Sequence, residues 1–214
     1  MTDLKNLPTE IPIFPLSNFI IFPGMTVPLN IFEPRYIQMI DDSMKSHRMI
    51  GMIQPKKSGE LKKPDLYEVG CIGKITSFNE TDDGRYLVII NGISRFNINK
   101  EIETNKLYRT CEVNYEKYNR DLDDNVEKFA LKDLDKIFKD LKNLFEKKGF
   151  LVDWTSLKKE NFSNTLNTLS MASPFSLEEK QVLLETKDLN TRKLVLEEIL
   201  NTYIRDDFSN KTIQ

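Results

Sequence analysis

Short apolar or alternating runs, separated at close intervals by turn-forming residues, fill the first half of the chain and predict β structure there. The first run, residues 11–16, carries Pro12 and Pro15, which cannot donate to a ladder and so predict an edge or irregular strand. A second extended segment over residues 19–22 ends at Pro23-Gly24, and a third apolar run follows at residues 27–29. Tyr36, Ile37, Ile40 and Met44 then fall at helical spacing behind Pro34, whose fixed φ suits a first turn, so an amphipathic helix is predicted over residues 34–46. Residues 49–53 resume as a strand, and residues 54–65, with two Lys-Lys pairs and two prolines, read as an exposed loop. Runs at 70–78 and 85–90 flank Asp82-Asp83-Gly84, a hairpin signal. Alternation over residues 95–99 sets Phe96 and Ile98 on one side and Arg95, Asn97 and Asn99 on the other, which predicts a half-buried strand. Leu107, Cys111, Val113 and Tyr115 mark one face of a final strand.

Near Asn119 the period of the pattern changes from about two to about three and a half. From Asp124 onward, Val126, Phe129, Ala130, Leu134, Ile137, Phe138, Leu141, Leu144 and Phe145 trace a helical stripe that Gly149 stops. Residues 116–148 hold nine charges of each sign, the mark of a solvated helix face. Phe162, Leu166 and Leu169 mark a shorter helix before Pro174, Ser176 with Glu179 forms a capping box that opens another, and Leu194, Val195, Ile199 and Tyr203 mark the last. The expected fold class is therefore α+β, with a β-rich subdomain over residues 1–118 and a helical bundle over residues 119–214.

Composition narrows the partners. Apolar residues make up 39% and charged residues 30% of 214 residues, enough for a core and a solvated surface. A formal net charge of −2, from 31 basic and 33 acidic residues, provides no global field for nucleic acid or an anionic membrane. The first residues lack a signal-peptide pattern, and the longest apolar stretches fall far short of the roughly 20 residues of a membrane helix. Cys71 and Cys111 stand alone, without a CxxC partner, and fit a reducing compartment, so a cytoplasmic protein is expected.

Catalytic constellations are not legible. His47 is the single histidine and sits at the polar end of the predicted first helix, which leaves no histidine cluster for a metal. No GxSxG elbow marks a nucleophile, and Gly70-Cys71-Ile72-Gly73-Lys74 has too few residues between its glycines for a phosphate loop. Asp41-Asp42, Asp82-Asp83 and Asp123-Asp124 lie in turn or helix-start contexts and read as solubility and capping residues. The expectation is a protein with no catalytic residue, no metal and no cofactor.

The string Pro28-Leu29-Asn30-Ile31-Phe32-Glu33-Pro34-Arg35-Tyr36 resembles the signature of the LON domain, the N-terminal substrate-binding domain of ATP-dependent Lon proteases. Matches run in order along the chain: Ile13-Phe14-Pro15-Leu16, Phe22-Pro23-Gly24, residues 69–75, Asp83-Gly84-Arg85-Tyr86, Gly92-Ile93-Ser94-Arg95-Phe96, and Pro174-Phe175-Ser176 leading into residues 179–185. The resemblance spans about residues 10–205 and implies a PUA-like pseudo-barrel followed by a helical bundle. It also implies a free-standing LON-domain protein, because the ATPase and protease modules of a full Lon are not found before Gln214. The function this implies is capture of unfolded or extended polypeptide beside a protease or chaperone. The alternative is RNA binding, which PUA-like modules share and for which Lys56, Lys57, Lys62 and Lys63 would supply phosphate contacts. Glu33 and Arg35 are expected to form an internal ion pair anchoring the first helix to the sheet, with Phe14, Phe32, Tyr36 and Phe96 in the core. Phe19, Ile20, Ile21 and Met25, around Pro23-Gly24, are the candidate polypeptide-binding residues, beside strand backbone left free by the prolines of residues 11–23.

Overall fold

A computed structural model describes residues 7–57, 63–122 and 130–211, and the chain divides into two compact units, Met1–Asp124 and Asn125–Gln214. In the first unit, β1 (Glu10–Pro15), β2 (Thr26–Ile31), β3 (Met49–Ile53), β4 (Val69–Glu80), β5 (Tyr86–Ile102) and β6 (Arg109–Asn114) form one sheet in the order β2-β5-β4-β3-β1-β6, and α1 (Pro34–Met44) lies between β2 and β3 in sequence. The length of β5 makes the architecture. One of its edges takes β4, while the other is shared between β2, opposite Tyr86–Asn91, and β6, opposite Asn97–Ile102. The β5–β6 pairing closes a ring through β4, β3 and β1, and β2 projects beyond it. Closure demands bending, and register shifts at Ile72/Gly73, Ile75/Ser77 and Ile98/Lys100 supply it. Inside the ring, Ile11, Ile13, Ile53, Ile72, Phe96, Cys111 and Val113 form the core.

Several sequence expectations change here. β1 is interior, paired antiparallel with β6 and parallel with β3. Its prolines are tolerated for a geometric reason. The Val113 N–H donates to the Thr9 carbonyl, so alternation turns the nitrogen of Pro12 away from β6, and pairing with β3 begins only at Ile13. Residues 19–22 form no strand; they cross β5 where Gly24 N–H donates to Gly92 O and Gly92 N–H donates to Met25 O, both at 2.9 Å. Arg95, expected on the open side of its strand, is buried together with Phe96 because the Asp121 carboxylate receives it. Leu107 precedes β6 and is 64% exposed, outside the apolar face assigned to it.

α1 begins at Pro34 as its composition predicts, and ends at Met44. Tyr36, Met39 and Ile40 are its buried apolar residues, and Phe14 meets Tyr36 edge-on at 4.5 Å. The hairpin turn between β4 and β5 uses Gly84 at φ +76°, a conformation glycine adopts without steric cost.

The second unit is helical: α2 (Asp135–Lys147), α3 (Trp154–Leu157), α4 (Phe162–Ala172), α5 (Leu177–Glu185) and α6 (Leu189–Lys211), with α2, α4 and α5 each packed on α6. Ile137, Phe138, Leu141, Leu144 and Phe145 form the buried stripe of α2, and Gly149 at φ +73° terminates it. A single 3-10 turn, Leu131–Leu134, precedes α2, so the helix starts later than Asp124; Val126 and Phe129 lie outside the described residues. The Ser176–Glu179 capping box opens α5 as read from sequence.

Candidate functional site

The register of β2 on β5 sorts side chains by face. Val27 and Ile31 are buried, as are Ile90 and Tyr86 opposite them and Val88 opposite Leu29. Alternation sends Thr26, Pro28 and Asn30 outward together with Leu87 and Ile89, and Phe32 continues that parity past the end of the strand. Pro28 stands opposite Ile89, and Asn30 opposite Leu87, which puts Phe32 diagonal to Leu87. Phe32 is 65% exposed, Leu87 45% and Ile89 37%, so this face carries an apolar patch.

The patch borders a strand edge. Because Gly92 N–H donates to Met25 O, the pairs 27/90, 29/88 and 31/86 exchange hydrogen bonds, and the backbone groups of residues 26, 28 and 30 face the opposite edge. Among the described strands β2 pairs with β5 alone. Pro28, in the middle of that edge, has no N–H to offer.

A cleft of about 820 Å³ opens elsewhere on the same unit, between the start of α1, the β3–β4 loop and the β5–β6 turn. Pro15, Ile102 and the exposed Leu107 contribute apolar lining. Arg109 donates from Nε and Nη2 to Glu101 (3.2 and 2.7 Å) and from Nη1 to the Pro64 carbonyl (2.6 Å), while Lys63 Nζ lies 3.0 Å from the same Glu101 carboxylate. Burial pushes the Glu101 carboxyl up, but the hydrogen bonds from Arg109 and Lys63 outweigh it and hold it below its ordinary value. Across the cleft, Tyr108 OH donates to Asp42 Oδ2 (2.8 Å), with Lys106 Nζ 3.7 Å from the same oxygen.

Glu33 and Arg35 do pair, at 2.8 Å, but they are two residues apart, half exposed, and line this cleft. The anchors of α1 are other contacts: Phe14 on Tyr36, Tyr86 OH to Asp41 Oδ1 (3.1 Å), Tyr108 OH to Asp42, and Leu107 N–H to Gln38 Oε1 (2.9 Å).

The four residues proposed from sequence separate. Ile20 and Ile21 are 2% and 1% exposed and belong to the core; Phe19 and Met25 are half-buried. The cause is Gly92, where an added Cβ would fall inside contact with the Phe22 carbonyl oxygen, so the backbone of residues 20–22 sits directly on β5. Free strand backbone lies on β2, not in residues 11–23, because β1 is paired along both edges. Phe32, expected in the core, is the most exposed member of the patch, and its parity with Pro28 and Asn30 is the signal that would have found it.

No group of three or more His, Cys, Asp or Glu able to hold a metal occurs among the described residues. His47 is exposed just beyond α1. Cys71 and Cys111 are buried, and burial pushes the Cys111 thiol up to about 11, far from thiolate reactivity at neutral pH. In the lysine-rich loop Lys56 and Lys57 are exposed, Lys63 pairs with Glu101, and Lys62 lies outside the described residues. No described helix is long and apolar enough to cross a membrane.

Comparison with known proteins agrees with this architecture. The family model of the ATP-dependent protease La (LON) substrate-binding domain matches residues 10–202. The Lon protease of Flavobacterium johnsoniae is 26% identical over 197 residues, covering 89% of this chain and 24% of the relative. That of Desulfosudis oleivorans is 29% identical over 196 residues, covering 87% and 23%. The chain thus spans about a quarter of the length of these curated relatives. Among solved structures, a Lon N-terminal domain protein from Xanthomonas campestris superposes with a TM-score of 0.61 at 20% identity, covering 91% of this chain and 98% of that one. The N-terminal domain of a Mycobacterium avium complex Lon protease gives 0.61 at 18% identity, covering 90% and 98%.

Proposed function

The chain belongs to the LON substrate-binding domain family, and from that premise we propose that its first unit is a non-catalytic recognition module that captures extended or unfolded polypeptide on the outward face of β2 and β5. The observation that carries this reading is the patch of Phe32, Leu87, Ile89 and Pro28 beside an edge strand. An apolar surface of this kind takes side chains of any sequence that exposes hydrophobic residues, and the edge adds main-chain hydrogen bonds without asking for a particular side chain. Specificity is therefore low. Affinity is modest, because an unstructured ligand loses conformational entropy on ordering, and a dissociation constant on the order of micromolar or weaker is expected. In a cytoplasmic setting such a module serves as an adaptor beside a protease or chaperone.

The test is fluorescence anisotropy with a permanently unfolded, reduced and carboxymethylated protein as client. The double variant Phe32→Asp/Leu87→Asp is expected to keep its thermal midpoint, since both side chains are exposed, and to bind about tenfold more weakly, the equivalent of about 1.4 kcal/mol. Unchanged affinity in the folded variant would place the contact elsewhere.

The same reading excludes turnover. The purified chain is expected neither to hydrolyse ATP nor to cleave casein in a coupled phosphate assay and a fluorescent-peptide release assay. An activity that follows the folded chain and disappears with one substitution in it would contradict the assignment.

A further inference from the structure

A chain that is 30% charged runs from Ile11 to Phe32 without a single charged side chain. β2 lies inside that stretch, and among the described strands its outer edge is free. Strand edges are ordinarily protected by charges, lysine above all, that deter a visiting strand. β4 follows this pattern: β3 pairs with it only as far as Lys74, and the stretch beyond runs into Glu80, Asp82 and Asp83. β2 has Pro28 alone.

The register carries the contrast across the sheet. Three outward-facing rows lead from β4 through β5 to β2: Asn79, Leu87, Asn30; Ser77, Ile89, Pro28; and Lys74, Asn91, Thr26. A strand added to β2 sets its outward side chains at the ends of these rows, beside Asn30, Pro28 and Thr26. Lys74, the one charge in the rows, stands three strand spacings from such a visitor, about 14 Å, beyond the about 8 Å at which salt screens exposed charges. Past Phe32 the next charges are already paired, Glu33 with Arg35 and Asp83 with Arg85. A carboxylate or ammonium brought to this edge loses part of its hydration and meets no counter-charge.

We propose that the β2 edge selects uncharged strands. Segments that mix apolar residues with Ser, Thr, Asn or Gln are captured, and segments that place Asp, Glu, Lys or Arg at the outward positions are passed over. Thr26 and Asn30 set this preference, because both are exposed, neutral and directly beside the visitor. The inference rests on polypeptide capture at β2 and β5 and deepens it by naming which segments are favoured.

The experiment titrates the isotopically labelled full chain, followed by NMR, with a capped octapeptide, Val-Thr-Leu-Thr-Thr-Leu-Thr-Val, kept soluble by a polyethylene glycol tail. Two further peptides carry Lys-Lys or Glu-Glu in place of the central Thr-Thr, so that one charge faces outward whichever way the strand is phased. The neutral peptide is expected to shift the amides of Thr26, Asn30 and Leu87. It should bind about fivefold more tightly than either charged peptide, with little change between about 50 and 300 mM salt. Thr26→Asp/Asn30→Asp, at two exposed positions, should keep the fold, bring the Lys-Lys peptide at least level with the neutral one and weaken the Glu-Glu peptide further. Thr26→Lys/Asn30→Lys should exchange the two charged peptides, which keeps the test open if aspartate disturbs the strand. Parent binding of a charged peptide as tight as that of the neutral one overturns the proposal, as does an order that neither variant changes. Sedimentation of the chain alone should show a monomer; a dimer that the aspartate variant dissolves would give the edge to a second copy and overturn the proposal as well. If Phe32→Asp/Leu87→Asp releases the unfolded client while the three peptides bind alike, the selection fails and polypeptide capture stands. If neither the client nor any peptide binds, capture itself fails.

Discussion

Replacing Asp121 by alanine is expected to lower the stability of the first unit by about 3–5 kcal/mol, the range found when one partner of a buried ion pair is removed. The Arg95 and Asp121 side chains are only 4% and 9% exposed. Asp121 Oδ2 accepts from both the backbone N–H and Nε of Arg95 at 2.9 Å, and Oδ1 accepts from Nη2 at 2.6 Å. The guanidinium also lies 4.2 Å over the ring of Tyr118, so the 3-10 segment Glu116–Leu122 is fastened to β5 by charge and by stacking. Alanine removes the carboxylate and leaves the guanidinium in a site from which water is largely excluded. Asparagine retains an acceptor, and its loss should be smaller. The double change Arg95→Met/Asp121→Leu removes both charges and should recover most of the stability. Urea unfolding followed by circular dichroism measures all three, and a loss under about 1 kcal/mol for Asp121→Ala would mean that water readily replaces the carboxylate.

The second large effect is expected at Gly92. Alanine there drives its methyl group into the Phe22 carbonyl oxygen and within 3.0 Å of the Phe22 carbonyl carbon. The obstruction is backbone, which no rotamer change relieves, so a loss toward the upper part of the about 1–3 kcal/mol range for overpacking is expected. The displacement would also strain the two hydrogen bonds that join Gly92 to Gly24 and Met25. Amide exchange at Gly24 and Gly92 should accelerate by more than the global loss explains; uniform acceleration would show that the segment moves as one piece with the barrel.

What could be read from the sequence was what local chemistry decides. Pro34 opening α1, Gly84 in the hairpin and the Ser176–Glu179 box each depend on residues within a few positions of one another. The stripe from Ile137 to Phe145 has a period that only a helix satisfies. Partners distant in sequence decided the rest. Two prolines made β1 look like an edge, and its interior place follows from which neighbours arrive and where their ladders begin. Arg95 looked outward because nothing in residues 95–99 announces a carboxylate 26 positions later. Ile20, Ile21 and Phe32 are equally apolar in a hydropathy profile; the close approach at Gly92 buries the first two, while strand parity turns the third outward. The cleft joins segments from residues 13 to 109 and has no linear signature beyond Glu33 and Arg35.

Pro28 has a kinetic consequence. A visiting strand laid along the free edge of β2 finds the N–H groups of residues 26 and 30 but only the carbonyl of Pro28 between them, so it is held by one main-chain hydrogen bond fewer at its middle. Another copy of the chain meets the same interruption on both sides, which makes the edge a poor template for runaway self-association. For a flexible client the gap shortens residence, since differences in affinity between related complexes are expressed mostly in dissociation. A surface that lets go quickly samples many chains in turn and leaves each of them free to be passed on.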